Sequence, residues 1–263
     1  QSNAGEGIMM SNFNFAKSES DKIIAHFGKE FYKKVVSDIV RYSTKWKLDS
    51  LEFVDYFSVN CIFKCFSHKF GNVVLKIGQY NEEMLKEYKT LCEYNGYRFC
   101  KIYDADIQNG VLIEECIIPG IQLRDEPSLD KRLSVFCSLY KGLHIIPADT
   151  AIYPTYMEWV SKITEYMSNK QDYKELYLYM KKAEDICRIL SKEYRKQMLL
   201  HGDFHHDNIL LNQNNEYTII DPKGVIGDPI FDIPRFILNE FDDEVTQQSY
   251  DKINYIIETF EEY

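Results

Sequence analysis

One stretch constrains this chain more than any other: Leu200-His201-Gly202-Asp203-Phe204-His205-His206-Asp207-Asn208-Ile209-Leu210-Leu211, followed by Ile219-Ile220-Asp221-Pro222. Asp203 and Asn208 stand five positions apart on a loop before an apolar run. Asp221 closes the next β-prone run, Tyr217-Thr218-Ile219-Ile220, thirteen positions after Asn208. A hairpin with these groups on its loop and strand ends would bring all three together. They are the groups that phosphoryl transfer from a nucleotide needs: one carboxylate for the proton of an acceptor hydroxyl, and an amide and a second carboxylate for Mg²⁺ on the phosphates.

Asp203 is the candidate base, because a general base must lie within hydrogen-bond reach of its proton and a short loop can fix a carboxylate there. Asn208 and Asp221 offer the hard oxygen donors that Mg²⁺ takes. Alone, a His-Gly-Asp is as readily a solvated loop or a helix cap; the joint spacing carries the reading. His201, His205 and His206 invite a transition-metal site, but they precede a strand and no further His or Cys lies at zinc spacing. His201 is expected to brace the loop, and His206 is a candidate for contact with an acceptor. Lys76 ends the run Val73-Val74-Leu75-Lys76-Ile77, with Glu82, Glu83 and Glu87 on the helical segment behind it. A lysine on the α/β-phosphates needs an anchoring carboxylate, and Glu87, at the centre of that segment, is the preferred one.

The order of elements gives the architecture. Apolar residues at helical spacing predict a helix over 20–42, and short β-prone runs follow at Leu51–Val54, Cys61–Phe66 and Asn72–Ile77. A helix over 81–94 and two strands around Asn109-Gly110 complete a β-rich part, and Pro119-Gly120 breaks the chain. Helices are then expected over 128–144, 155–168, 171–196, 230–240 and 245–262. The expected fold is α+β and bilobal: a small antiparallel β lobe and a larger α-helical lobe, with the site in the cleft between them. The domain reading is residues 1–10 as a tag remnant and start segment, a nucleotide-binding lobe over 11–116, and a catalytic and acceptor-binding lobe over 117–263.

Composition narrows the partners. The 31 basic and 41 acidic residues leave a net charge of −10, which argues against a nucleic acid held through its phosphates. No apolar run reaches the roughly 18 residues of a membrane span, and no signal peptide is read. The seven cysteines form no CxxC pair, so reduced thiols in the cytoplasm are expected. No protein partner is implied. The loop Ser58-Val59-Asn60 between the first two strands can lie over nucleotide phosphates, but no P-loop motif occurs and no glycine lies between Leu51 and Phe70 to give a glycine-rich pattern.

These motifs together resemble the aminoglycoside phosphotransferase branch of the protein-kinase-like superfamily. His201-Gly202-Asp203 stands where protein kinases carry His-Arg-Asp, Asn208 matches the catalytic-loop asparagine, and Asp221 matches the Mg²⁺-binding aspartate of the Asp-Phe-Gly motif. The segment Ile220-Asp221-Pro222-Lys223-Gly224-Val225-Ile226-Gly227-Asp228-Pro229-Ile230-Phe231-Asp232 is similar to that of the streptomycin and hydroxyurea phosphotransferase group. The resemblance implies ATP or GTP and Mg²⁺ as cofactors, with Ser58 and Asn60 in the nucleotide loop and Glu114 to Cys116 as the hinge on the adenine edge. It implies that Gly227-Asp228-Pro229 and Asp232 brace the loop and the next helix. The acceptor it implies is a small, polyhydroxylated, cationic molecule such as streptomycin, with Asp242, Asp243 and Glu244 near its pocket. Two other readings stand beside it: a kinase of the same fold for a sugar, amino alcohol or nucleoside, and a nucleotide-binding module without catalysis.

Overall fold

In the computed structural model, residues 13–55, 59–170, 172, 174–241 and 245–263 are described. Ser58, Asp242, Asp243 and Glu244 lie outside them. The chain divides into two compact units: one takes residues up to Tyr88 with Cys100–Ile117, the other takes Lys89–Phe99 with Ile118–Tyr263. The stretch 89–99 thus groups with the second unit, which no single cut in the sequence describes.

The first unit begins with two helices where the sequence predicts one. α1 (Lys17–Phe27) stops and α2 (Lys29–Trp46) starts at Gly28, whose φ of 93° lies where side chains with a Cβ are strained. Phe31, Val35, Ile39, Tyr42 and Trp46 recur at helical spacing on α2 and are all buried. They pack on a five-stranded antiparallel sheet of β1 (Leu48–Val54), β2 (Cys61–Ser67), β3 (Gly71–Ile77), β4 (Ile102–Asp106) and β5 (Val111–Glu115), in the order β1-β2-β3-β5-β4. The tips of α2 residues reach β4: Tyr42 donates to Asp106 at 2.7 Å and the Trp46 indole to Asp104 at 2.8 Å.

Strand alternation sorts this sheet into two faces. Cys61, Phe63 and Cys65 on β2, Val73, Leu75 and Ile77 on β3, and Val111 and Ile113 on β5 belong to the core under the helices. The other face carries Ile62 and Lys64, Val74 and Lys76, and Leu112 and Glu114, since Ile62 pairs with Lys76, Lys76 with Leu112, and Val74 with Glu114. The helix α3 (Glu82–Tyr94) follows β3.

The second unit is mainly helical: α4 (Leu129–Tyr140), α5 (Tyr156–Ser168), α6 (Lys174–Glu193), α7 (Ile233–Leu238) and α8 (Gln247–Glu262). Two small sheets sit among them. β7 (Met198–Leu200) pairs with β10 (Val225–Gly227), and β8 (Ile209–Asn212) lies between β6 (Pro119–Gln122) and β9 (Tyr217–Ile219). Sequence reasoning found the β8–β9 hairpin but read Pro119-Gly120 as a break. Pro119 starts β6, a strand at the edge of its sheet, where the missing N–H is tolerated. The predicted helix over 230–240 is a 3₁₀ turn, Pro229–Asp232, running into α7. The core stacks Phe136 against Phe236 at 4.0 Å, Phe204 at 4.8 Å and Phe260 at 5.4 Å. A second cluster packs Tyr156, Trp159, Cys187 and Leu190 onto Leu200, Val225 and Phe231.

Candidate active site

β7 and β10 run antiparallel, Leu200 opposite Val225, so the loop leaving β7 and the loop entering β10 lie side by side. The chain turns at Gly202 with φ of 82°; a Cβ there would be strained and would press to 3.1 Å from Lys223. The turn's N–H groups have a dedicated acceptor. Buried Asp232 takes the His201 N–H at 2.9 Å and the Gly202 N–H at 2.8 Å, and pairs with His144 at 2.8 Å. Asp228 caps the 3₁₀ turn by accepting from Ile230 and also accepts from the Lys196 N–H. His201 ties the loop to the end of the hairpin. Its Nδ1 accepts from the Asp203 N–H at 3.1 Å and its Nε2 donates to the Ile220 carbonyl at 2.8 Å. This fixes the neutral tautomer, in keeping with burial, which holds the ring below the ordinary histidine pKa.

Asp203 follows on this braced turn. Burial works to raise its pKa, but the His205 imidazole and the Arg235 guanidinium beside it outweigh burial and hold the carboxyl well below the ordinary aspartate value. Arg235 Nε donates to Oδ1 at 2.8 Å. Arg235 Nη1 donates to Asn239 Oδ1 at 2.9 Å, and Asn239 Nδ2 meets His205 Nδ1 at 2.9 Å. Arginine can only donate, so the asparagine oxygen accepts and its NH₂ donates onward. His205 Nδ1 is therefore an acceptor and its proton sits on Nε2, which lies 3.5 Å from Asp203 Oδ2. Three side chains, Arg235, Asn239 and His205, thus form a ring of contacts with the carboxylate. Sequence reasoning missed Arg235 and Asn239; they lie more than thirty residues after Asp203 with no spacing to flag them.

Asn208 ends the same loop. Its Nδ2 donates to the Asp203 carbonyl at 2.9 Å, which commits the amide nitrogen and leaves the oxygen to act as an acceptor or a ligand. Ile209 pairs with Ile219 and the Ile220 N–H donates to the Asn208 carbonyl at 2.9 Å, so Asn208 sits across from Ile220, next to Asp221 in sequence. Asp221 leaves the hairpin at φ 55°, a left-handed conformation that aspartate tolerates better than most residues. Hard oxygen donors on two adjoining strand ends suit Mg²⁺.

In the first unit, Lys76 Nζ meets Glu87 at 2.6 Å and also Glu114 at 2.8 Å, all three largely buried. Glu114 stands diagonal to Lys76, one strand over on the same face. Glu114, expected at the adenine edge through its backbone, also gives its side chain to the lysine. The Cys116 N–H donates to the Asn72 carbonyl at 3.1 Å, so only its carbonyl remains for such an edge. Asn60 is buried with its side-chain oxygen against Gly78, where the missing Cβ makes room.

His206, a candidate for contact with an acceptor, lies in the interior of the second unit. It is buried, stacked on Phe236 at 4.0 Å, and bonded through Nε2 to Glu240 at 2.5 Å. Glu240 in turn takes both arms of Arg132 at 2.8 Å. An imidazole offers a flat apolar face and a polar edge; here the face packs on Phe236 and Nε2 is bonded to Glu240. Arg124 instead lies at the neighbouring Asp207, in a two-armed pair.

A family model described as "Aminoglycoside/hydroxyurea antibiotic resistance kinase" matches residues 56–262. The chain belongs to this family. Within it, the chain is 22% identical over 165 residues to the streptomycin 6-kinase of Streptomyces griseus, covering 60% of this chain and 52% of that protein. It is 23% identical over 181 residues to the streptomycin 6-kinase of Streptomyces glaucescens, covering 66% and 57%. The chain thus spans little more than half the length of these curated relatives. The fold is protein-kinase-like. It is similar to the choline kinase LicA of Streptococcus pneumoniae, with a TM-score of 0.61 and 16% identity over 89% of this chain and 92% of that one. It is similar also to the streptomycin-ATP-APH(2")-IIa ternary complex, with a TM-score of 0.54 and 14% identity over 88% and 81%. A family of kinases implies a nucleotide donor.

Proposed function

We propose that the chain is a phosphotransferase that moves the γ-phosphoryl group of ATP or GTP to a hydroxyl of a small, polyhydroxylated, cationic acceptor of the streptomycin type. The observation that carries this reading is the braced turn that presents Asp203 as an ionised carboxylate, with Asn208 bonded to the same turn. In the reaction the acceptor O–H gives its proton to Asp203 as its oxygen bonds to the γ-phosphorus. The bond from phosphorus to the β,γ-bridging oxygen breaks, and the nucleoside diphosphate leaves. Lys76, held by Glu87 and Glu114, would take the α/β-phosphates. Asn208 and Asp221 would hold Mg²⁺, which when bound supplies charge neutralisation on the phosphates. Positioning and charge, more than base strength, would supply the rate.

The names of the two curated relatives support streptomycin as the acceptor to test first. The net charge of −10 fits a cationic acceptor. A cytoplasmic setting fits the seven free thiols; burial pushes those of Cys61 and Cys65 up to about 12. Among the described residues no helix is long and apolar enough to cross a membrane. The test is nucleotide consumption with Mg²⁺ against streptomycin, other aminoglycosides, choline, sugars and nucleosides. Consumption with streptomycin above all others is expected. A neutral metabolite as the sole acceptor would remove the streptomycin assignment and leave the kinase chemistry standing, and no consumption with any acceptor would remove both.

A further inference from the structure

We propose that Arg235 is a positioning residue for Asp203, fixing Oδ1 so that Oδ2 is the oxygen that meets the acceptor hydroxyl. The two carboxylate oxygens have unlike surroundings. Oδ1 carries a charge-assisted bond from Arg235 Nε at 2.8 Å, whereas Oδ2 has the His205 Nε2 only at 3.5 Å, too far for a good hydrogen bond. Oδ2 therefore keeps its accepting capacity.

The arginine is itself held. Its Nη1 is bonded to Asn239 Oδ1 and Asn239 is bonded to His205, whose Nε2 comes back only to 3.5 Å from Oδ2, so a ring of contacts joins the loop after β7 to the end of α7. Such a ring removes rotamer freedom from Asp203 before any acceptor arrives. The planar guanidinium fork serves two acceptors at once with fixed geometry; a lysine could supply the charge but not the fork. Arg235 is half-exposed, so it is not needed to fill the core.

This inference rests on Asp203 being the base, and its test separates the two. Arg235→Ala should lower kcat by about 10²-fold, the scale of a misplaced reacting group, with the KM for Mg-ATP held within about twofold. Arg235→Lys should recover part of the loss. In an Asp203→Asn background, Arg235→Ala should add no further loss, because a residue that acts through Asp203 has nothing left to position. An equal loss in both backgrounds, or an unchanged kcat in Arg235→Ala, overturns the inference. If streptomycin is not turned over, the ring is read directly from the arginine Nε–H resonances of the labelled protein. Asp203→Asn and Asn239→Ala should each shift the Arg235 signal; a signal that stays in place in both overturns the inference whatever the acceptor proves to be.

Discussion

At the scale of single residues, Asp203 and Lys76 show two ways in which a charge is made useful. Asp203 is partly buried and kept ionised by one guanidinium and one imidazole. Asp203→Asn keeps the shape of the side chain but removes the proton acceptor, so kcat should fall by about 10²–10⁴ while nucleotide binding persists; steady-state kinetics beside calorimetry with ATP checks both halves. Asp221→Ala should make ATP binding insensitive to Mg²⁺, and calorimetric titrations with and without the ion measure this directly; an unchanged Mg²⁺ dependence counts against Asp221 as a ligand. Lys76 is different because two buried carboxylates share it. Removing the lysine leaves both without their cation, and breaking a buried pair from one side costs about 3–5 kcal/mol. Lys76→Ala should therefore lower the melting temperature by much more than Glu114→Gln, which leaves the Lys76–Glu87 pair in place. Equal melting temperatures would show that the lysine is functional only.

At the scale of elements, buried acids hold the helices and loops of the second unit together. Asp232 accepts two backbone N–H groups of the catalytic turn, so the start of α7 and the end of β7 cannot separate without stranding buried donors. Glu240, just after α7, collects Arg132 from α4, Lys252 from α8 and His206 from the catalytic loop. Burial works to raise the pKa of Glu240, but Arg132 and His206 outweigh burial and hold it well below the ordinary 4.5. A carboxylate with a depressed folded pKa contributes stability above its unfolded pKa and loses it as the pH falls from that value down through the folded one. The chain should therefore lose stability steeply below about pH 4.5, and Glu240→Gln should be less stable at neutral pH with a flatter acid limb. Denaturant midpoints from pH 3 to 7 give both slopes; parallel curves would remove Glu240 from the acid response.

At the scale of the whole molecule, the excess of ten negative charges acts on encounter more than on fold. For a cationic acceptor such as streptomycin, kcat/KM should fall as ionic strength rises from low salt to the physiological range, where the Debye length is about 8 Å, while kcat at saturation changes little. A neutral acceptor should show no such slope, so the salt series also sorts acceptor classes. The same charge works against binding to phosphate-rich polymers.

What the sequence determined by itself was the local chemistry and the periods. The loop-and-hairpin spacing of Asp203, Asn208 and Asp221 lies within 19 residues, and the alternation that puts Lys76 on the opposite sheet face from Leu75 is written in seven. Short range made these legible, since strand pleat and turn geometry depend on near neighbours. Tertiary structure alone decided the partners of these groups. Arg235 and Asn239 come to Asp203 from over thirty positions away, Glu114 comes to Lys76 across the β3–β5 pairing, and His206 turns inward because Phe236 and Glu240 meet it there. Those contacts follow from packing between distant segments, where many residues could serve and no fixed spacing marks the one that does.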